Sequence, residues 1–263
     1  MAHPDRFLLA GVMGWPVMHS RSPMLHNYWF KQHGLAGSYV PLAIRPEHLT
    51  AALRGLHPLG FAGVNVTIPH KQEAMKIVNE HDGSLTGTNN DCYGFIHAVR
   101  QEHPGWRPDA GPIVVIGAGG GSRAVCYGLA QEGAKEIRLV NRTLARAKAI
   151  AGEFRGPIKA LPWEQRHDAL EGAAMVVNTT SQGMVGNPAL DITLDKLPQG
   201  ALAADIIYIP LETPFLAAAR KRGNRTINGL GMLLNQGRPA WKAWFGIEPE
   251  VTVELRAMVE RTI

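Results

Sequence analysis

Short apolar runs alternate with longer amphipathic segments along the whole chain, the pattern of β-α-β units stacked into a mostly parallel sheet. Phe7–Gly14 predicts a strand, Pro23–His33 a helix stopped by Gly34, Ser38–Ile44 a strand and Pro46–Leu56 a helix with proline in its first turn. Gly63–Ile68 predicts a third strand, and Pro69 opens a helix through Val78. A turn is expected at Asp82-Gly83 and a connecting helix over Cys92–Glu102.

His103-Pro104-Gly105 through Gly111-Pro112 is the densest cluster of structure breakers, and the domain boundary is placed there: 1–103, then 104–231. The second series has strands at Ile113–Ile116, Glu136–Val140, Met175–Asn178 and Leu202–Ile207. Its helices are expected near Ser122–Glu132, Leu144–Phe154 and Pro214–Arg222. Beyond Gly229-Leu230-Gly231, two helices, Met232–Trp244 and Pro249–Arg261, close the chain. The fold class is α/β, and no internal repeat is visible.

Composition narrows the function classes. With 263 residues, 45% hydrophobic and 19% charged, the chain can build one large domain or two modest ones. No apolar run reaches the roughly eighteen residues needed to cross a bilayer. Glycines interrupt the first apolar stretch, so no secretory signal is legible and a cytoplasmic protein is expected. Cys92 and Cys126 lack a C-x-x-C spacing and read as buried free thiols. The four N-x-T triplets, from Asn65 to Asn224, then carry no glycan. A net charge of +5 could suggest nucleic acid, but the basic residues are scattered. Their densest group, Arg220 to Arg225, ends a predicted helix, where cations complement the dipole.

Ile113–Ile116 runs into Gly117-Ala118-Gly119-Gly120-Gly121-Ser122-Arg123-Ala124: a buried strand, a glycine-rich turn and a helix start. Such a turn lets the backbone approach a pyrophosphate, whose charge meets free N–H groups at the helix N-terminus. Ser122 replaces the last glycine of the fingerprint, and Ala124 is small enough for close helix–strand packing. After the second strand, where an NAD site places a carboxylate, the chain has Asn141-Arg142-Thr143, with Arg146 one turn on. Guanidinium groups there suit a 2′-phosphate, so NADP is preferred to NAD.

The first half gathers polar residues at strand ends, where ligands collect in open α/β sheets. Ser20-Arg21-Ser22-Pro23 offers two hydroxyls when one suffices to cap the helix. Asn65-Val66-Thr67-Ile68-Pro69-His70-Lys71 puts Lys71 beside a positive helix end. That repulsion, with partial burial, suits it to carry a proton. Asn89-Asn90-Asp91 sets a carboxylate at a helix start, where capping alone would also explain it.

These motifs, with N-R-T-L-A-R-A at Asn141, N-T-T-S-Q-G-M at Asn178, D-I-I-Y-I-P-L-E-T-P-F-L at Asp205 and N-G-L-G-M-L-L-N-Q at Asn228, span almost the whole chain. In them the sequence resembles the shikimate dehydrogenases. The resemblance implies an N-terminal substrate domain and a Rossmann-like NADP-binding domain, with the 232–263 helices packing back on the first. It implies interconversion of shikimate and 3-dehydroshikimate, on the route to aromatic amino acids, without a metal. Lys71 and Asp91 would be the catalytic pair, and Ser20, Ser22, Thr67, Tyr208 and Gln236 would hold the substrate. Gly117, Ala118, Gly119, Gly120 and Gly121 would cradle the pyrophosphate, while Asn141, Arg142, Thr143 and Arg146 bind the adenosine phosphate. Ile206, Gly229 and Met232 would line the nicotinamide pocket. The partners expected are a small-molecule substrate, no nucleic acid and no membrane, with a homodimer admitted.

Two departures stand out. Asn90 replaces the Thr of the family's N-T-D. The segment between Lys71 and Asp91 is short and lacks the family's A-x-N-T stretch, whose Asn touches the substrate. Either a substrate contact is lost or residues are missing between Val78 and Asp91; the abrupt Ile77-Val78-Asn79-Glu80 join favours the second reading. Two rivals remain: a quinate or related polyol-acid dehydrogenase, and a non-catalytic NADP-sensing module. Ser22, often Thr in family members that accept quinate, favours shikimate, and keeping both Lys71 and Asp91 disfavours a sensor.

Overall fold

The computed structural model describes residues 7–79, 85–154 and 156–263, so the expected turn at Asp82-Gly83 lies outside the described residues. The chain divides into two compact units, Met1–Asn90 with Gly237–Thr262 and Asp91–Gln236 with Ile263.

The first unit opens with β1 (Leu8–Gly14), α1 (Ser22–Gln32), β2 (Gly37–Ala43), a 3-10 turn into α2 (Leu49–Gly55), β3 (Phe61–Val66) and α3 (Lys71–Asn79). Its sheet is parallel in the order β2-β1-β3. One face of β1 packs Met13 against Leu49 and Leu53 of α2 and Ala74 and Ile77 of α3. Burial of these aliphatic side chains stabilises by about 1.5–3 kcal/mol each for the larger ones.

The second unit contains α4 (Asp91–Glu102), β4 (Ile113–Ile116), α5 (Gly120–Gln131), β5 (Ile137–Asn141), α6 (Leu144–Glu153), β6 (Ile158–Pro162), β7 (Met175–Asn178), β8 (Leu202–Asp205), α7 (Pro214–Lys221), β9 (Arg225–Ile227) and α8 (Leu230–Asn235). All six strands are parallel, in the order β6-β5-β4-β7-β8-β9. The central strands are mostly apolar because helices cover both faces of the sheet, with Asn178 and Asp205 ending β7 and β8. The strand order reverses between β4 and β7, the kind of switch point at whose carboxyl ends open α/β sheets take their ligands. Helix α4, read from sequence as a connector, packs on α5 and α8 of this unit.

The chain then returns to the first unit as α9 (Arg238–Phe245) and α10 (Val253–Glu260). Fully buried Trp241 donates from Nε1 to His26 Nδ1 at 2.7 Å, and its ring meets Trp29 edge-on at 5.7 Å. The Trp29 indole N–H in turn donates to the Glu250 carbonyl at 3.0 Å.

Several elements differ from the sequence pattern. One helix was expected over Met232–Trp244, but α8 stops at Asn235 and α9 starts at Arg238. Pro239 lacks an N–H and settles in the first turn of the second helix, which breaks the periodic run. The last helix begins at Val253 rather than Pro249, where Thr252 accepts from the Leu255 N–H at 3.2 Å. The short edge strands β6 and β9 add two to the four strands read from the second series.

Cys126 is buried and burial pushes its thiol up to about 12, whereas Cys92, expected to be buried, is only half-buried. Arg220 and Lys221 lie in the last turn of α7, and Arg220 pairs with Glu212 at 2.8 Å. Among the described residues, no helix is long and apolar enough to cross a membrane.

Candidate active site

In the first unit Ser20, Ser22, Thr67 and Lys71 lie in the segments that leave the carboxyl ends of β1 and β3. Thr67 N–H donates to the Met13 carbonyl at 2.9 Å, and Trp15 N–H to the Ile68 carbonyl at 3.2 Å, so the segments leaving the two strands run side by side. Ser20 and Ser22 follow from β1; Thr67 and Lys71 follow from β3. The Ser20 hydroxyl accepts from the Ser22 N–H at 3.2 Å, just before the helix, while the N-cap residue, Arg21, makes no side-chain cap. Against the larger rise from burial, the Ser22 side chain lowers the pKa of the Tyr39 phenol. Buried Tyr39 donates to Asn65 Oδ1 at 2.7 Å, and burial holds its phenol well above the usual range. Tyr39 was missed by sequence reasoning, because nothing local marks a strand tyrosine as polar and paired.

His70, 2% exposed, bonds the Ile44 carbonyl at 2.7 Å through Nε2 and ties the head of α3 to the end of β2. Lys71 is exposed, not part-buried as expected, because it opens α3 beyond the last residue of β3.

Asp91 is half-buried at the first position of α4 in the second unit, where the helix dipole favours a carboxylate. Gln236 caps the end of α8. One turn into α4, Gly94 lets the two helices close up: a side chain there would meet the Met232 carbonyl at 2.5 Å and Gln236 Cβ at 2.9 Å. The small residue of the N-N-D-x-x-G motif thus brings Gln236 to the same end of α4 as Asp91. Tyr208, half-buried, lies in the segment leaving β8. Of the residues assigned to substrate, Ser20, Ser22 and Thr67 therefore stand on the first unit, and Tyr208 and Gln236 on the second.

The glycine-rich turn fits a dinucleotide. Gly117 has φ +109°, a conformation only glycine adopts without strain, and a Cβ would meet Thr179 Oγ1 and Thr180 Cγ2 at 2.9 Å each. Ala118 is half-buried, and above exposed Gly119 and Gly120 there is nothing within 4 Å, which leaves the N-terminus of the twelve-residue α5 open to a phosphate. A Cβ on Gly121 would meet Ile206 Cδ1 at 2.7 Å. Ser122 is fully buried, its hydroxyl bonding the Gly119 carbonyl at 2.8 Å, so it supports the turn from beneath, and Ala124 is buried beside it.

At the end of β5, Asn141 Nδ2 donates to the Thr143 carbonyl at 2.9 Å. Arg142 and Arg146 are exposed at the start of α6, and neither has an ion-pair partner among the described residues. Two uncompensated cations at a positive helix end suit a phosphate and not a ribose hydroxyl. Across the sheet, Gly229 N–H donates to the Ile207 carbonyl at 2.8 Å, and Met232 is buried in the core behind it. Among the described residues no group of three His, Cys, Asp or Glu could hold a metal.

The ends of β7 and β8 hold a network absent from the sequence reading. Asp205, 2% exposed, accepts from Asn178 Nδ2 at 3.1 Å, the Ile207 N–H at 3.0 Å and the Thr213 hydroxyl at 2.8 Å. Desolvation pushes its carboxyl up to about 6, against the pull of those hydrogen bonds.

Comparison with known proteins gives the family. Residues 12–89 match the shikimate dehydrogenase substrate binding domain family, and residues 107–208 the shikimate / quinate 5-dehydrogenase family. A shikimate dehydrogenase (NADP(+)) of Rhodospirillum rubrum is 50% identical over 272 residues, covering 95% of this chain and 96% of its own. One of Paramagnetospirillum magneticum is 48% identical over 268 residues, covering 95% and 97%. The Thermus thermophilus shikimate 5-dehydrogenase in complex with NADP(H) and shikimate superposes with a TM-score of 0.84 at 32% identity, covering 97% of this chain and 99% of that one. The Rhodospirillum alignment runs over 272 positions while covering 95% of a 263-residue chain, so that relative carries residues where this chain has none.

Proposed function

The chain belongs to the NADP-dependent shikimate dehydrogenase family, and from that premise we propose that it interconverts shikimate and 3-dehydroshikimate through the residues described above. NADP supplies or accepts the hydride. The observation that carries the reading is the pairing of two features: the open glycine cradle with its unpaired Arg142 and Arg146, and the Ser20, Ser22, Thr67 and Lys71 cluster at the ends of β1 and β3.

In this reading Gly117 to Gly121 seat the pyrophosphate on the N–H groups of α5. Arg142 and Arg146 take the 2′-phosphate, with Asn141 and Thr143 shaping the turn between them. Ile206, Gly229 and Met232 border the nicotinamide. Ser20, Ser22, Thr67, Tyr208 and Gln236 hold the hydroxyls and carboxylate of the substrate. Lys71 gives its proton to the ketone oxygen as negative charge develops there and takes it back in the reverse direction; Asp91 orients the hydroxyl. The protein is placed in the cytoplasm, and a homodimer would show as twice the chain mass in light scattering.

NADP reduction measured separately with shikimate and with quinate tests the reading. Preference for quinate would transfer the site to the related polyol-acid reaction, and NADP binding without turnover of either would leave a sensor.

Arg142→Ala should weaken NADP by about 1.5–3 kcal/mol, the range for a charge-assisted hydrogen bond, and leave NAD nearly unchanged by calorimetry. Equal losses for both would remove the 2′-phosphate assignment. Ser22→Ala should raise the KM for shikimate several-fold. Its hydroxyl does not cap α1, so the melting temperature should hardly move. Unchanged KM with a large melting shift would make Ser22 purely structural.

A further inference from the structure

Asp205 is a buried carboxylate to which the reaction above gives no part. It ends β8 directly opposite Asn178, the last residue of β7. Its acceptor sites are taken by the Asn178 amide, the Ile207 N–H and the Thr213 hydroxyl, all donors. These donors reach both carboxylate oxygens, Ile207 on Oδ1, Thr213 on Oδ2 and the Asn178 amide on either, so the side chain is held from three sides.

From this hub, bonds run both ways. Asn178 Oδ1 accepts from the Thr180 N–H at 3.0 Å and hydroxyl at 2.8 Å, and its amide donates to the Gln182 carbonyl at 3.1 Å. Thr179, next along, donates from Oγ1 to the Ile116 carbonyl at the end of β4 at 2.7 Å. On the other side Asp205 starts the Ile206–Ile207 turn. Gly229 grips that turn from behind, so close to the Ile206 carbonyl that no Cβ would fit. Ile206 reaches over the first turn of α5.

The order β6-β5-β4-β7-β8-β9 lays a dinucleotide across the β4/β7 switch point. With the 2′-phosphate cations at the end of β5, the nicotinamide half would lie toward β7 and β8, the strands that end at Asn178 and Asp205. A fold that needed only packing here would not bury a carboxylate at this desolvation cost.

We propose that Asp205 is a positioning residue for hydride transfer, whose carboxylate holds the Ile206–Ile207 turn and the Asn178–Gln182 loop in the shape that seats the nicotinamide ring. The proposal rests on the NADP reading of the cradle.

The test compares NADP with adenosine 2′,5′-bisphosphate, which carries the 2′-phosphate and lacks the nicotinamide, by calorimetry on the full chain. Asp205→Asn should weaken NADP about tenfold and the bisphosphate less than twofold. Single-turnover hydride transfer should slow at least tenfold, with a smaller change in the KM for shikimate. Thr213→Val removes one donor to the carboxylate together with the N-cap of α7, so it should give the same split more weakly even if Asp205→Asn does not fold; Thr213→Ser should restore wild-type behaviour. Equal weakening of both ligands, or NADP binding and hydride transfer unchanged in the folded variants, would overturn the proposal. The binding split is read without substrate, so an enzyme inactive on shikimate and quinate would refute the catalytic reading and leave this one to its own result.

Discussion

Lys71→Ala should lower kcat by about 10²–10⁴, the usual contribution of general acid-base catalysis, and leave the dissociation constant for NADP nearly intact. The residue opens α3, beside the positive end of the helix dipole, where a lysine kept for stability would be misplaced. It stands on the first unit and the cofactor cradle on the second, so nucleotide affinity should not follow it. Lys71→Arg should fail almost as badly, because a guanidinium does not release its proton near neutral pH. Single-turnover measurement is the right check, since slow product release can mask a slowed chemical step. Full hydride transfer in Lys71→Arg with an unchanged pH profile would make Lys71 a positioning charge and send the proton through another group.

Trp241→Ala should cost about 3–5 kcal/mol of stability, read as a lower urea midpoint, because the indole is fully buried among Trp29, Phe30 and Phe245. Trp241→Phe keeps most of that area but strips His26 Nδ1 of its donor, for about 1–3 kcal/mol. His26 adds a pH dependence of definite sign. Burial lowers its pKa to about 3 from 6.5, so the unfolded chain binds a proton that the folded chain refuses. That contribution is present above pH 6.5 and is lost as pH falls toward 3. Asp205 acts in the opposite sense: its pKa is raised to about 6 from 3.8, so its contribution is present below 3.8 and lost as pH rises through 6. His26→Phe should therefore flatten the acid side of the stability curve. A curve unchanged between pH 6.5 and 3 would mean that His26 is protonated in the folded protein.

The missing A-x-N-T stretch predicts a measurable deficit. If this chain has lost that contact, inserting an Ala-x-Asn-Thr stretch before Asp91 should lower the KM for shikimate about two- to tenfold, the worth of one neutral hydrogen bond. No change in KM would show that the remaining residues hold the substrate unaided.

What the sequence determined by itself is whatever local chemistry and periodicity encode. Strands β1, β4, β7 and β8 are legible because central parallel strands are buried on both faces and read as unbroken apolar runs. The glycine cradle and the lone arginines after β5 are legible because a phosphate site is built from consecutive backbone N–H groups and a helix start. Lys71 and Asp91 stand out because each has a sign that can be judged against a helix end.

Tertiary structure alone decided the rest. Strands β6 and β9 lie at sheet edges, with one neighbour and little buried surface, so no apolar run announces them. The break between α8 and α9 falls where the chain passes from one unit to the other, a choice made by contacts with Gly94 and with His26 far away in sequence. Tyr39 and Asp205 look like an ordinary strand tyrosine and a strand-end aspartate. They become polar hubs only when Ser22 and Asn65, or Asn178 and Thr213, are folded against them, because a buried hydrogen bond depends on partners that no local pattern specifies.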